Sequence, residues 1–238
     1  MDKVKDNLIQ KENSKWEFNK EVADCFEDML SRSIPQYDIM RNTVTDLAMS
    51  ILKERDFFSC LDLGCSNGLM IQKLWQPNGN YLGIDVSKPM LEKAKEAFKD
   101  KENVSIEYMD LRTDFPFSQE GYDCITSILS IMFTPIEYRQ NIIQRVYDNL
   151  KPKGVFFFVE KVLGNDAFLN ELFVKNYYAM KSANGYSEEQ IERKRLSLEG
   201  VQVCVTSNWN LELLKQAGFR RIDTFWKWCN FEGIIAIK

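Results

Sequence analysis

The sequence predicts an α/β fold. The expected form is a doubly wound, mostly parallel sheet ending in an antiparallel strand pair, with N-terminal helices and a helical insertion after the fifth strand. Three observations support this. Short apolar runs alternate with helical patterns four times before residue 155, the rhythm of strand–helix units feeding a parallel sheet. The run Val155-Phe156-Phe157-Phe158-Val159 before Glu160 is continuously apolar, as in a strand buried on both faces. The stretch Cys60–Gly68 passes from an apolar run through Asp62 into a turn of small residues, and Leu69–Trp75 then reads as a helix.

Residues 1–15 are polar and lysine-rich and read as a frayed lead-in. Apolar positions at helical spacing follow over 16–33 and again from Ile39 to Leu52, with Pro35 between them, giving a helical N-terminal cap over 1–55. Strand one is expected at Ser59–Leu63 and strand two at Tyr81–Asp85, after the turn cluster Gln76–Asn80. Ser87 is the expected N-cap of the next helix, with Pro89 in its first turn. Strand three spans Val104–Met109 and strand four Tyr122–Leu129. A helix over Pro135–Leu150 is stopped by Lys151-Pro152-Lys153-Gly154. Residues 165–200 break the strand rhythm as a helical insertion, in which Ser187-Glu188-Glu189-Gln190 has the pattern of a capping box. A last helix over Asn210–Ala217 precedes two strands, Arg221–Trp228 and Asn230–Lys238. The whole reads as one domain over 1–238.

With 238 residues and 45% hydrophobic content, the chain can bury one sizeable core. The net charge of -4 argues against a surface built for direct nucleic-acid binding. The absence of histidine removes a histidine base and a His-metal site, so no metal is expected. Six cysteines without C-x-x-C spacing read as reduced thiols. Without an apolar leader or a run of membrane-spanning length, a cytoplasmic protein is expected.

In doubly wound sheets ligands bind beyond the carboxyl ends of the strands. Gly64, Cys65 and Ser66 follow strand one, Asp85 ends strand two, Asp110 and Leu111 follow strand three, and Ser127 lies near the end of strand four. Asp85 stands 85 − 62 = 23 residues after Asp62, where nucleotide-binding sheets place the acid that accepts from ribose hydroxyls. Together these residues point to a nucleoside site. Arg193-Lys194-Arg195 in the insertion reads first as a solvated face; the functional reading is that one of the three holds an anion, and spacing does not choose which.

The order Asp62-Leu63-Gly64-Cys65-Ser66, Ile84-Asp85, Asp110-Leu111 and a terminal strand pair resembles the Rossmann-like class I S-adenosylmethionine-dependent methyltransferases. From Trp16 onward the chain is similar to the carboxy-S-adenosyl-L-methionine synthase family. Phe18–Ala23, Arg32–Tyr37, Lys181–Ser187, Lys194-Arg195 and Asn230-Phe231 carry that resemblance, and the 181–195 segment lies outside the generic fold.

The resemblance implies a transferase that carboxylates the S-methyl group of S-adenosylmethionine with carbon dioxide from prephenate, through a sulfonium ylide, releasing phenylpyruvate. The product, carboxy-S-adenosylmethionine, would serve a separate enzyme acting on a tRNA wobble uridine. It also implies a homodimer. Tyr37, Asp62, Gly64, Cys65, Ser66, Asp85, Val86, Asp110, Leu111, Ser127 and Arg195 are the implied cofactor contacts. Arg195, the carboxylate anchor, and Tyr37, a second contact, are the implied catalytic residues. The alternative is methyl transfer from S-adenosylmethionine to a small anionic acceptor. The family has asparagine where this chain has Ser127, and the shorter side chain removes an amide from that contact.

Overall fold

The computed structural model describes residues 14–238. Two helices come first, α1 (Lys20–Ser33) and α2 (Tyr37–Leu52). Asn19 caps α1 by accepting from the Val22 N–H, and Ile34 ends it in extended backbone, as a residue before proline must. The sheet then begins with β1 (Phe58–Leu63), α3 (Leu69–Leu74), β2 (Gly79–Asp85), α4 (Lys88–Ala97) and β3 (Val104–Tyr108). It continues with β4 (Tyr122–Ile128), a 3₁₀ turn at Ile131–Phe133, α5 (Ile136–Asn149) and β5 (Leu150–Leu163). The insertion is two helices, α6 (Ala167–Ala183) and α7 (Glu188–Leu198), and the capping box of Ser187 and Gln190 is formed. β6 (Val205–Thr206), α8 (Ser207–Ala217), β7 (Arg221–Trp228) and β8 (Phe231–Ile237) complete the chain.

The strand order is β3-β2-β1-β4-β5-β8-β7, with β6 paired to β5. Strands β1–β5 are parallel, whereas β8 runs antiparallel to both β5 and β7. The winding reverses between β1 and β4, so the switch point lies at their carboxyl ends. Side chains of β5 alternate between two cores. Val155, Phe157 and Val159 pack on the α2 side, while Phe156 and Phe158 pack with Ile142, Ile143 and Leu214 of α5 and α8.

Beyond shifts of a few residues at element ends, two features differ from expectation. β5 begins at Leu150, because the Lys151–Gly154 stretch continues beside β4 through a register shift instead of leaving the sheet. β6, only two residues long, has no periodicity to read. All six cysteines are free thiols. Among the described residues no helix is long and apolar enough to cross a membrane.

Candidate active site

A cavity of about 670 Å³ opens at the carboxyl ends of β1, β2 and β4, within the range of small-molecule sites. Its floor is the loop after β1. Gly64 and Gly68 adopt positive φ (71° and 83°), and so does Ser66 (53°). The N–H groups of Gly64 and Cys65 both donate to Ile84 O, locking the loop to β2. A Cβ on Gly64 would lie 1.9 Å from Ser130 Oγ, so glycine is needed for space as well as for conformation.

Asp85 is held by its neighbours. Its Oδ2 accepts from Ser66 N (2.9 Å) and its Oδ1 from Ser87 N (2.8 Å). Burial pushes its pKa up, and these backbone donors oppose the shift. Each oxygen keeps lone-pair capacity for a ribose hydroxyl. Asp62, also buried, accepts from Thr126 Oγ1 at 2.7 Å. Burial raises its pKa to about 7; the Thr126 hydrogen bond opposes this, and the Asp85 charge adds to it.

Tyr37 opens α2 and lines the cavity with the Arg41 guanidinium 4.3 Å from its ring centroid. Burial raises its phenol pKa to about 12, against the opposing Arg41 charge. Cys65, Val86 and Leu111 line the same wall. Asp110 also lines it, but its carboxylate is clasped by Arg112 through Nε and Nη2, which holds its pKa below the ordinary value. An adenine amino group must therefore share that carboxylate with a guanidinium.

Ser127 lies outside the cavity wall: it is fully buried, and its hydroxyl is without a partner. The next three residues, Ile128, Leu129 and Ser130, form the wall instead. The chain turns there through Leu129 at φ 56°, an uncommon conformation for a large side chain.

Arg195 lines the cavity from α7, yet its guanidinium is already engaged. Glu192 accepts from Nε and Nη2 (2.8 and 2.7 Å), and Glu199 accepts from Nη1 (2.6 Å). These two carboxylates, Glu192 first, raise its pKa. The resemblance implies Arg195 as a carboxylate anchor; in the structure that guanidinium already meets two carboxylates. A ligand carboxylate must use its remaining N–H groups or displace a glutamate. Such exposed pairs contribute little, so a ligand carboxylate can displace one at small cost.

The roof comes from outside the sheet. Phe18 packs edge-on against Trp16, Phe26 and Phe133. The Trp16 N–H donates to Ser197 O, and the Lys194 ammonium rests 3.6 Å from the Trp16 ring centroid. Ser87 Oγ donates to Phe18 O, tying the roof to the loop that holds Asp85. Sequence reasoning missed Ser130, Arg41 and Lys161 in this wall. The clue for Lys161 was available, since it continues the alternation of Val155, Phe157 and Val159 at the end of an apolar strand.

Two orphaned polar atoms support a ligand in this cavity. Ser66 Oγ and Arg41 Nε belong to lining residues and are buried without a hydrogen-bond partner. With the glycine cradle and Asp85, they fit a nucleoside with a charged tail.

This fold and site define a class I methyltransferase-like enzyme that uses S-adenosylmethionine. A family described as "Methyltransferase domain" matches residues 60–154. Solved structures agree on the fold. An O-methyltransferase family protein from Burkholderia thailandensis superposes with TM-score 0.67 at 13% identity, covering 93% of this chain and 63% of that one. Human N-acetylserotonin methyltransferase, solved with S-adenosylmethionine, gives 0.61 at 17% identity, covering 92% and 55%. More specifically, the carboxy-S-adenosyl-L-methionine synthase of Nautilia profundicola is 35% identical over 100% of this chain and 99% of its own length. That of Wolinella succinogenes is 34% identical over 99% of each. The chain belongs to the carboxy-S-adenosyl-L-methionine synthase family.

Proposed function

We propose that this enzyme makes carboxy-S-adenosylmethionine from S-adenosylmethionine and prephenate, releasing phenylpyruvate and water. The observation that carries the reading is the division of the cavity. One side is a backbone cradle with Asp62 and Asp85; the other is an apolar chamber lined by Lys161, Lys194 and Arg195. A methyl donor alone needs no cation near its sulfonium, and like charges there would disfavour binding. A carboxylated methyl group and an acidic co-substrate both need one.

In this reading the bound nucleoside supplies an S-methyl group acidified by the sulfonium. Gly64 and Ser66 orient it, Asp85 takes the ribose, and the Trp16–Phe18–Phe133 roof excludes water. Arg195 holds the new carboxylate once a glutamate yields, with Tyr37 as a second contact. The product would pass to a separate enzyme acting on tRNA. A second copy of the chain would cover the outward face of α6, where Phe168, Leu169 and Leu172 are exposed.

Incubating the full chain with S-adenosylmethionine and prephenate, followed by mass spectrometry, tests the reading. A nucleoside heavier by one carbon dioxide, formed together with phenylpyruvate, is the expected result. Recovery of unmodified nucleoside with prephenate intact would sink it. Methyl transfer to a small anionic acceptor is the second reading. The engagement of Arg195 by Glu192 and Glu199 favours it, because the anchor is then already neutralised.

A further inference from the structure

Lys161 is a cavity-lining cation with no hydrogen-bond or ion-pair partner among the described residues. It is the residue after Glu160 near the end of β5, on the face that carries Val155, Phe157 and Val159 into the core. Opposite it in the β8 register stands Phe231. Its Nζ lies 4.8 Å from the Tyr177 ring centroid and 6.0 Å from that of Phe231. The two rings are 5.3 Å apart and tilted by 58°, making an aromatic corner around the ammonium.

The other charged groups of the cavity differ. Arg195 has Glu192 and Glu199, Arg112 has Asp110, and Arg41 has Asp38. Among the described residues the anion-forming groups beside Lys161 are the Cys204 thiol and the Tyr177 phenol, both of which burial keeps protonated by raising their pKa. Burial also lowers the Lys161 pKa, the signature of a charge without a counter-ion. A desolvated cation on an apolar wall is costly unless something pairs with it.

We propose that Lys161 is the anion-recognition residue of the co-substrate chamber, pairing with the carboxylate of a small, largely apolar acid whose body rests on Tyr177 and Phe231. The proposal deepens the carboxylation reading and rests on it for the identity of the co-substrate. Two features locate the pairing. β5 is two strands from β1 in the sheet, about 10 Å from the glycine loop. The ammonium is therefore kept apart from the sulfonium side, where it would repel. The aromatic corner also gives the ring of such an acid an apolar surface to rest on.

The test is calorimetric binding of phenylpyruvate, and of its neutral counterpart phenylacetone, to the full chain saturated with S-adenosylhomocysteine. A charge-assisted hydrogen bond is worth about 1.5–3 kcal/mol, so Lys161→Met should weaken phenylpyruvate binding roughly 10- to 150-fold. Lys161→Arg should restore most of it, while phenylacetone and S-adenosylhomocysteine affinities stay within about twofold. Unchanged phenylpyruvate affinity in Lys161→Met overturns the proposal, as does an equal loss for the neutral ketone.

If Lys161→Met fails to fold, the wild-type protein gives the answer. Phenylpyruvate should slow acylation of Lys161, mapped by mass spectrometry, and leave exposed Lys215 unaffected. Equal acylation with and without phenylpyruvate overturns the proposal. Product formation separates the two readings. Lys161-dependent phenylpyruvate binding without carboxylation refutes only the synthase reading. Carboxylation by Lys161→Met at wild-type KM for prephenate refutes only the anion site.

Discussion

Substituting alanine at Gly64 tests whether the loop after β1 is shaped by packing as well as by backbone conformation. The added Cβ would lie 1.9 Å from Ser130 Oγ and 2.6 Å from Ser130 Cβ, while the next neighbour, Ser130 Cα, is at an ordinary 3.8 Å. The cost therefore has two separable parts. At φ 71° the left-handed conformation costs an L-residue about 1–2 kcal/mol. Overpacking against Ser130 adds about 1–3 kcal/mol. Ser130→Gly removes both clashing atoms and should return the second part but not the first.

A double-mutant cycle in urea unfolding should then show a favourable coupling of about 1–3 kcal/mol between Gly64→Ala and Ser130→Gly. S-adenosylhomocysteine affinity should follow the same order, lowest in the single Gly64→Ala variant. Additive effects in the cycle, or a Gly64→Ala protein as stable as wild type, would refute the packing argument.

Asp62 gives the pH dependence. With its folded pKa near 7 and its unfolded value near the ordinary 3.8, the folded state retains a proton through that interval that the unfolded chain releases. Stability present at low pH is therefore lost as pH rises to about 7, by up to ~4 kcal/mol; Asp62→Asn should flatten the curve in urea titrations at pH 4 to 8. A ligand cation beside Asp62 favours its charged form, so S-adenosylmethionine binding at pH 6 should release protons, detected by calorimetry in two buffers of different ionisation enthalpy. Combining Glu192→Gln with Glu199→Gln frees Arg195 and should raise retention of the carboxylated nucleoside roughly fivefold. Arg195→Ala should abolish that retention, as measured by mass spectrometry of the co-purified ligand. Asp123, fully buried, accepts from Arg55, Lys151 and the Ser59 N–H. Asp123→Ala should cost about 1–3 kcal/mol in urea unfolding, because the Ser59 N–H and two part-exposed cations lose their shared acceptor, and S-adenosylhomocysteine affinity of the folded protein should be unchanged.

The cradle was legible because backbone needs set its residue types. A positive-φ turn after a buried strand wants Gly64, and Asp85 follows at the spacing of one strand–helix unit. The capping box at Ser187 and the N-cap at Ser87 were legible for the same reason. The wall from β4 was not. Leu129 takes a left-handed conformation that no leucine advertises, and that turn carries Ser130 to the wall while leaving Ser127 behind it. For Arg195 the signal was present but unused, since Glu192 and Glu199 stand three residues before it and four after, the spacing at which helical neighbours pair. The Asp110–Arg112 clasp is a loop contact with no such periodicity.

Charge is sorted across the sheet in the order a zwitterionic ligand would need. Asp62 and Asp85 sit at the ends of β1 and β2, and Lys161 at the end of β5, with β4 between them. Asp62 and Asp85 come from the sheet itself, whereas Lys194 and Arg195 come from α7. Ser87 links the two. It donates its N–H to Asp85, caps α4 by accepting from the Met90 N–H, and donates its hydroxyl to Phe18 O in the roof. A ribose that orders Asp85 therefore also orders the segment that meets α7 through Trp16 and Ser197. The Asp85 loop and α7 are thus joined by hydrogen bonds at either end of the Trp16–Phe18 segment. Generic methyltransferase sequence features reach only the Asp85 loop.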